Sequence, residues 1–243
     1  NRPMTNPRHH RPQTSNRPSR PREEHAQERP VAHIDDEIVR ELRATARPGK
    51  AEILVKVFSE AVGAYLSEDY REAVRLAEQA KHIALRSASA RELLGLAYYR
   101  AGQYKEASRE LAAFKRLAGS LSQNAVLADC YRAMDKPEKS IELIDELDSK
   151  SVEPAVFYEG AIVAAGAVAD QGRLDEAIAR LERLDLRPTV AEEHHVRVWY
   201  VLGDLLQKKG RFSQAKSWFE AVAAADADST DAPARAARLA KRT

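Results

Sequence analysis

Residues 199–219, WYVLGDLLQKKGRFSQAKSWF, decide the fold of this protein. Trp, Leu and Gly stand at offsets 0, 3 and 4 of this stretch, and Gly, Phe, Ala and Phe stand at offsets 11, 13, 16 and 20. Apolar residues three and four positions apart share one face of a helix, and a glycine commonly follows the end of a helix. The stretch therefore predicts two helices joined by a turn at Gly210.

The same pattern occurs in five segments of the chain. Each has a turn residue, then a bulky residue two positions later (Pro137 in the third segment), then a small residue three beyond that; the turn residues are Glu68, Gly102, Asp135, Gly172 and Gly210. They are 34, 33, 37 and 38 residues apart. A period near 34 residues with two helices per unit indicates a helical repeat. The longer spacings around the fourth unit predict longer loops or helices there.

These units resemble tetratricopeptide repeats (TPRs) over roughly residues 51–228. The last unit matches best and the second follows, through Trp199, Leu202, Gly203, Leu206, Gly210, Phe212, Ala215, Phe219 and Val222, and through Leu94, Gly95, Tyr98, Gly102, Tyr104, Ala107 and Leu111. The resemblance implies an all-α protein, a right-handed α-solenoid of about five TPR-like helix pairs. The whole chain also resembles a group of actinobacterial TPR proteins with Arg/Pro-rich N-terminal arms, a likeness that implies no activity.

The small residues of the pattern have a physical reason. Gly203 and Ala215 are expected where the two helices of a pair cross, because a larger side chain there would push them apart at about 1–3 kcal/mol. The bulky residues fill the space between neighbouring pairs. We expect units near 51–84, 88–119, 121–150, 155–187 and 191–228, and Pro137 suits the first turn of a helix.

Both ends of the solenoid need a cap. The helix that starts at Asp35 and stops before Pro48-Gly49 is suited to one end. A helix over 230–242 is suited to the other, with Ser229, Thr230 or Asp231 as its N-cap and Pro233 in its first turn. The predicted domain of the solenoid and its caps is residues 33–243.

Residues 1–32 are predicted to form a disordered basic arm. Residues 1–30 hold six of the eleven prolines and no Leu, Ile, Val or aromatic residue, so the segment lacks apolar area to bury. Their net charge is +4 in a chain of net charge +2, because three Glu stand against seven arginines, Arg2, Arg8, Arg11, Arg17, Arg20, Arg22 and Arg29. These arginines could contact phosphates of RNA without reading sequence, or serve only as a solubilising tail.

No catalytic, metal or cofactor site is expected. Cys130 aligns with Ala97 and Ala167 of neighbouring units, which predicts a buried, inert thiol. His194 and His195 are adjacent, so they are expected to point in different directions and not to share a metal. Glycine-rich phosphate loops do not occur in the sequence. We therefore expect no enzyme, no cofactor and no small-molecule substrate.

The surface is then the candidate site. In TPR folds the first helix of each pair lines a concave groove, and transferring those positions predicts the groove residues Phe58, Tyr65, Glu92, Tyr99, Arg100, Asp129, Arg132, Arg197, Tyr200, Asp204 and Lys208. Tyrosine and arginine are common at recognition hot spots. The mixture suits a peptide or helix with acidic and apolar features. A chaperone-type carboxylate clamp is disfavoured, because no Asn occupies a matching groove position.

The resemblance therefore favours a non-enzymatic adaptor that binds a protein or peptide partner in the groove. The alternative is an RNA- or ribosome-associated factor that uses the arm, and a third hypothesis is self-assembly through an uncapped end. The sequence has no apolar run of membrane-spanning length and no apolar core of a secretory signal at its start, so no membrane partner and a cytoplasmic location are expected.

Overall fold

The structure, a computed structural model, describes residues 32–228 and 230–242. Its secondary structure over those residues is entirely helical, with twelve helices: α1 Asp36–Thr45, α2 Ala51–Leu66, α3 Tyr70–Ile83, α4 Ala88–Arg100, α5 Tyr104–Ala118, α6 Asn124–Ala133, α7 Pro137–Asp145, α8 Pro154–Asp170, α9 Leu174–Glu182, α10 Glu193–Lys208, α11 Phe212–Ala225 and α12 Ala232–Leu239. The seven arginines of the arm and Ser229 lie outside the described residues. Of residues 1–32, for which disorder is predicted, the structure describes Ala32 alone.

The helices α2 to α11 form five consecutive pairs, and each predicted turn residue lies between the two helices of its pair. The predicted all-α solenoid with a helix at either end is confirmed. The longer spacing around the fourth pair falls in the connections between α7 and α8 and between α9 and α10. Pro137 is in the first turn of α7, where its missing N–H is no loss.

The five turn residues share one backbone conformation. Glu68 and Asp135 have φ of 61° and 57°, and Gly102, Gly172 and Gly210 have φ of 74°, 78° and 82°. This left-handed region is open to glycine and unfavourable for residues with a Cβ. The turn geometry is therefore the same in all five pairs, at a steric cost in the first and third.

Replacing Glu68 by glycine is expected to stabilise the protein by about 0.5–1 kcal/mol, because glycine removes the Cβ strain of the left-handed turn. The Glu68 carboxylate lies 4.0 Å from Arg100 and is 77% exposed, so its loss costs little. Urea unfolding measures the change. The matched control, Gly102→Ala, should lose stability; a gain in both variants would contradict the explanation.

Small residues are buried inside every pair. Seven residues before the turn stands an Ala or Gly, and five residues after it stands an Ala or Ser; these positions are Ala61, Gly95, Ala128, Ala165 and Gly203, and Ala73, Ala107, Ser140, Ala177 and Ala215. All ten are buried. A Cβ built on Gly203 would lie 3.0–3.2 Å from the Phe219 ring, and one on Gly95 would lie 2.6 Å from Leu111 Cδ2. The Phe219 ring thus occupies the space next to Gly203 that a larger side chain would need.

Ser140 is the one polar residue at these ten positions. Its side chain is 0% exposed, and its hydroxyl has no hydrogen-bond partner among the described residues. Ser140→Ala is expected to stabilise the protein by about 1 kcal/mol, because an unsatisfied buried hydroxyl is removed and no bond is lost. Thermal unfolding measures this. Ser108→Ala is the control, since the Ser108 hydroxyl donates to the Lys105 carbonyl at 2.9 Å, and an equal gain there would refute the reason given.

The first helices lie on the inside of the solenoid's curve. Consecutive first helices contact each other all the way from α2 to α10, whereas consecutive second helices make no contact of that extent within the described residues. Helices that touch on one side and spread on the other produce a curved stack. The face formed by α2, α4, α6, α8 and α10 is therefore concave, and we call it the groove.

Extra helices pack at both ends. α1 contacts α2 and α4, the first helices of the first two pairs. The Glu41 carboxylate on α1 accepts hydrogen bonds from the Ser87 hydroxyl at 2.9 Å and from the Ala88 N–H at 2.8 Å, which fixes α1 to the start of α4. α12 packs against α11. Within the described residues, no helix is long and apolar enough to cross a bilayer.

Candidate functional site

The N-terminal end of the groove is covered by α1. Phe58 is only 4% exposed and belongs to an apolar cluster that includes Leu42 of α1, with Ile34 and Ile38 packed against it. The prediction that Phe58 faces an open groove is therefore wrong, because the sequence pattern of α2 says nothing about a helix laid over it. Tyr65 is half-buried, and its ring packs edge-on against that of Tyr70 at 5.7 Å.

The C-terminal end of the groove is tied to α12. The Tyr200 hydroxyl donates to Asp231 Oδ1 at 2.8 Å, and the Asp204 carboxylate accepts from Arg235 at 2.8 Å. Lys208 lies 2.8 Å from the same carboxylate. Burial alone would raise the pKa of Asp204, but the hydrogen bonds from Lys208 and Arg235 outweigh it and hold that pKa below its usual range. Tyr200 and Asp204 therefore anchor the cap.

The middle of the groove is cross-linked by hydrogen bonds between helices. The Tyr99 hydroxyl of α4 donates to Asp129 Oδ2 of α6 at 2.7 Å, and Gln123 Nε2 donates to Glu92 Oε1 at 2.8 Å. Burial raises the pKa of Glu92, and the amide of Gln123 offsets this only in part. Burial and the hydrogen bond to Asp129 raise the pKa of Tyr99, so its phenol stays neutral. These side chains are held in fixed positions.

Arg132 extends from α6 across the surface of α8. Its Nε donates to Asp170 Oδ2 at 2.6 Å, and Nη1 lies 3.5 Å from Asp129 Oδ1. A Cβ built on Gly166 would lie 2.7 Å from Arg132 Cζ, so the glycine leaves room for the guanidinium. Arg132 is thus a bridge between two helices with its charge already paired.

The fourth pair adds residues that our sequence analysis missed. Arg197 Nη2 lies 2.7 Å from Glu159 Oε2, and burial, reinforced by the charge of Asp129, raises the pKa of Glu159 despite the attraction of Arg197. Ile162 and Arg197 line a cavity of about 630 Å³. Glu159 lies thirteen residues before the turn residue Gly172, and Arg197 lies thirteen residues before Gly210. Transferring the groove positions to the fourth unit would therefore have identified Glu159.

Arg100 lies at the edge of the groove. Its guanidinium donates to the Tyr70 hydroxyl and stacks 4.6 Å from the centre of that ring, in the turn region of the first pair. The predicted groove set thus divides into covered ends, an edge residue and a middle. The middle consists of Glu92, Tyr99, Asp129, Arg132 and Arg197, to which the structure adds Glu159.

The residues considered for catalysis have structural surroundings. Cys130 is 0% exposed, and burial raises the pKa of its thiol to about 12, which agrees with an inert thiol. The expectation that His194 and His195 point apart is wrong, because their rings lie 4.1 Å apart and both pack on Tyr158. His195 Nδ1 accepts the Glu192 N–H at 3.1 Å and so caps α10.

The histidines border a cavity of about 910 Å³. It lies where the longer connections around the fourth pair meet, between Leu147, Tyr158 and Leu184. Arg180 of α9 lines this cavity, and its guanidinium is paired with Asp145. No group of three potential metal ligands occurs in the described part of the chain.

Comparison with protein families agrees with this fold. Residues 168–240 match the family model for the tetratricopeptide repeat, and residues 67–147 match that for subunit 3 of the anaphase-promoting complex, or cyclosome. No curated protein gives a significant sequence match. The two family matches include the second and the last repeats, which are the two units that resemble tetratricopeptide repeats best in the sequence.

Several solved structures are similar. A TPR protein of Thermus thermophilus is 19% identical, with a TM-score of 0.58, over 76% of this chain and 98% of that one. TPR-like repeats of a putative kinesin light chain from Podosopora anserina are 18% identical, with a TM-score of 0.59, over 73% and 96%. YrrB, a TPR protein with an unusual peptide-binding site, is 16% identical, with a TM-score of 0.50, over 77% and 92%. Residues 168–240 therefore match the tetratricopeptide repeat model, and the described residues have the fold of a TPR α-solenoid.

Proposed function

We propose that this protein is a non-enzymatic scaffold that binds a peptide or helix of a partner protein in the middle of its groove. The observation that carries the proposal is the row from Tyr99 through Asp129 to Arg132 and Asp170, which is joined by two hydrogen bonds and by the ion pair between Asp129 and Arg132. Side chains already fixed in place lose little entropy when a ligand binds. YrrB supports the proposal, since it is a TPR protein of similar fold with a peptide-binding site.

The pairing of charges changes the ligand that we expect. Arg132 and Arg197 each have a carboxylate partner within 2.7 Å, so neither needs an acidic ligand. Glu92 has a neutral amide as its hydrogen-bond donor and is half-buried. A ligand that brings positive charge gains more here than one that brings negative charge. Half-buried Leu96 and Ile162 add apolar contact.

A random-peptide phage selection on the folded chain tests the proposal without knowledge of the partner. The selected peptides are expected to bind Ile162→Arg about 10-fold or more weakly than the parent protein, a loss of about 1.4 kcal/mol. The matched control is Leu117→Arg, at a position on α5 that is 42% exposed and outside the groove. Failure to select any peptide, or equal binding to both variants, would overturn the proposal.

The alternative of RNA binding depends on the arginines of residues 1–31, which lie outside the described residues. The middle of the groove offers no support for it, since carboxylates outnumber arginines there and would repel phosphates. The adaptor function is therefore the one argued further.

A further inference from the structure

We propose that the start of α10, residues 192–197, is an acid-sensitive gate in the wall of the groove, which opens when His195 takes up a proton. We call these residues the gate. It is held closed by the stacked rings of His194 and His195 and by the hydrogen bond that His195 accepts. The inference goes beyond the proposed function, because the opening is a property of the protein without any ligand.

The gate lies between two cavities. His194 and His195 line the cavity of about 910 Å³, whereas Val196 and Arg197 line the cavity of about 630 Å³ on the groove side. Glu192, the N-cap residue of α10, lines both. A change in the backbone of this turn therefore alters the groove itself, because Arg197 belongs to its middle.

The helix before the gate is short. α7 and α9 have nine residues each, whereas α3, α5 and α11 have 14 or 15. α9 accordingly contacts α10 less extensively than α3 contacts α4. The start of α10 thus has less support from the preceding second helix than the start of α4 has, and the contacts of its two histidines carry more of the weight.

His195 is placed to respond to a proton through its hydrogen bond. Its Nδ1 accepts the Glu192 N–H at 3.1 Å, so this nitrogen carries no hydrogen when the gate is closed. A protonated imidazole is a donor at both nitrogens, which would set two N–H groups against each other. His195 is 7% exposed, so the closed gate would also have to bury the new charge.

The surroundings of His195 contain charges of both signs. The charged groups that line the cavity beside it come from α7, α9, the connection after α9 and the start of α10; they are Asp145, Arg180, Arg183, Asp185, Glu192 and His194. Arg180 and Asp145 are paired with each other, so their fields largely cancel. α8 contributes the ring of Tyr158, which burial keeps uncharged by raising the pKa of the phenol.

The balance keeps His195 neutral in the closed gate. Burial, and then the proximity of His194, lower the pKa of His195, and the attraction of Glu192 and Asp185 does not outweigh them. In the open turn the imidazole has its ordinary pKa of about 6.5. Below that value the open turn binds a proton that the closed turn does not. The equilibrium constant for opening should therefore rise by up to about 10-fold per pH unit until the folded pKa is reached.

Amide hydrogen exchange of the full chain at several pH values tests the inference. After correction for intrinsic exchange rates, the protection of the Val196 and Arg197 amides is expected to fall about 3-fold or more between pH 7 and pH 5.5. The amides of Leu93 and Leu94 in α4 should keep their protection. No loss at Val196, or an equal loss in α4, would overturn the gate.

His195→Gln separates the proton from the hydrogen bond. A glutamine at the third position of a helix can accept the N-cap N–H, as in a capping box, but it does not titrate. The variant should keep the protection of the gate at pH 7 and lose its dependence on pH. The matched control is His82→Gln, at an exposed position at the end of α3, which should behave as the parent does. The parent's pH dependence in His195→Gln would refute the inference.

Nitrogen NMR of the imidazoles decides the matter even if the glutamine variant is already open at pH 7. In the parent, Nδ1 of His195 is expected to carry no proton at pH 7 and to titrate below pH 6.5. A proton on Nδ1 at pH 7, or a midpoint at or above 6.5, would contradict the gate. His194→Gln should raise the midpoint, because it removes the neighbouring charge, and an unchanged midpoint would reject the role of the pair.

None of these measurements uses a ligand. Failure of the gate therefore leaves the proposed function standing, and failure of the peptide selection leaves the gate standing.

Discussion

Replacing Phe219 by alanine is expected to destabilise the last helix pair by about 3–5 kcal/mol, the largest effect of any single substitution considered for this protein. Phe219 is 0% exposed and is the largest of the fully buried side chains among the described residues. Its removal leaves a cavity between α10 and α11 that the small residues around it cannot fill. Solenoid stability is a sum of repeats and their interfaces, so the loss should concentrate in this pair.

Tryptophan fluorescence during urea unfolding measures this effect locally. The only two tryptophans of the sequence, Trp199 and Trp218, lie on α10 and α11. Phe219→Leu is the control, because Leu111 occupies the same place against Gly95 in the second pair, and its loss should be smaller, about 1–2 kcal/mol. Equal losses in the two variants would contradict the cavity argument.

The contact between Phe219 and Gly203 makes the test sharper. Gly203→Ala alone should cost about 1–3 kcal/mol, since its Cβ would meet the Phe219 ring at 3.0–3.2 Å. When Phe219 is also replaced by leucine, the destabilisation caused by Gly203→Ala should be smaller. In the fourth pair the same two positions are occupied by Ala165 and Leu181, both fully buried, so alanine and leucine fit there together. A double-mutant cycle measures the coupling, and additive effects would show that the two residues do not constrain each other.

Arg235→Ala is expected to release the C-terminal cap at a cost of about 2–3 kcal/mol. The Arg235 side chain is 11% exposed; its Nη2 donates to Asp204 Oδ1 and to Gln207 Oε1, each at 2.8 Å. Its guanidinium carbon also lies 4.2 Å from the centre of the Phe219 ring. Removal of this arginine leaves a half-buried carboxylate with Lys208 as its remaining basic partner.

The control lies on the same helix. Arg238 is 67% exposed and its Nη2 is 3.9 Å from Asp231, so Arg238→Ala should change stability by no more than about 0.5 kcal/mol. Urea unfolding of both variants decides the matter. Losses of similar size would mean that general charge, and not the anchor to Asp204, holds α12 in place.

The same pair predicts a dependence on pH. The pKa of Asp204 is lower in the folded protein than in the unfolded chain, so its contribution is fully present above the unfolded pKa of about 3.9 and is lost as pH falls through the folded pKa. The difference in stability between the parent protein and Arg235→Ala should therefore be smaller in acid than at neutral pH. A difference that does not change with pH would show that stacking on Phe219 dominates.

The sequence by itself determined the helix pairs, their turns and the small residues inside them. Residues at these positions recur at the same spacing in every unit, so a repeated spacing is enough to predict which residues belong to a pair. The sequence did not predict the contact of Phe219 with Gly203, because the bulky residues were expected between neighbouring pairs. It also predicted that both ends carry an extra helix. The left-handed turn at Glu68 followed from its alignment with Gly210, although glutamate itself gives no such signal.

Only the tertiary structure decided which groove residues are open and which are already paired. Phe58 is covered by α1, Tyr200 and Asp204 are held by α12, and Arg132 is bound to Asp170. The contacts of Tyr200, Asp204 and Arg132 join side chains about one repeat apart, and that of Phe58 joins α2 to the helix before the first repeat. All of them depend on how closely neighbouring first helices approach and where the end helices lie. A repeat pattern fixes the face of a helix on which a residue stands, but it does not fix what covers that face, because the covering segments lie outside the repeat.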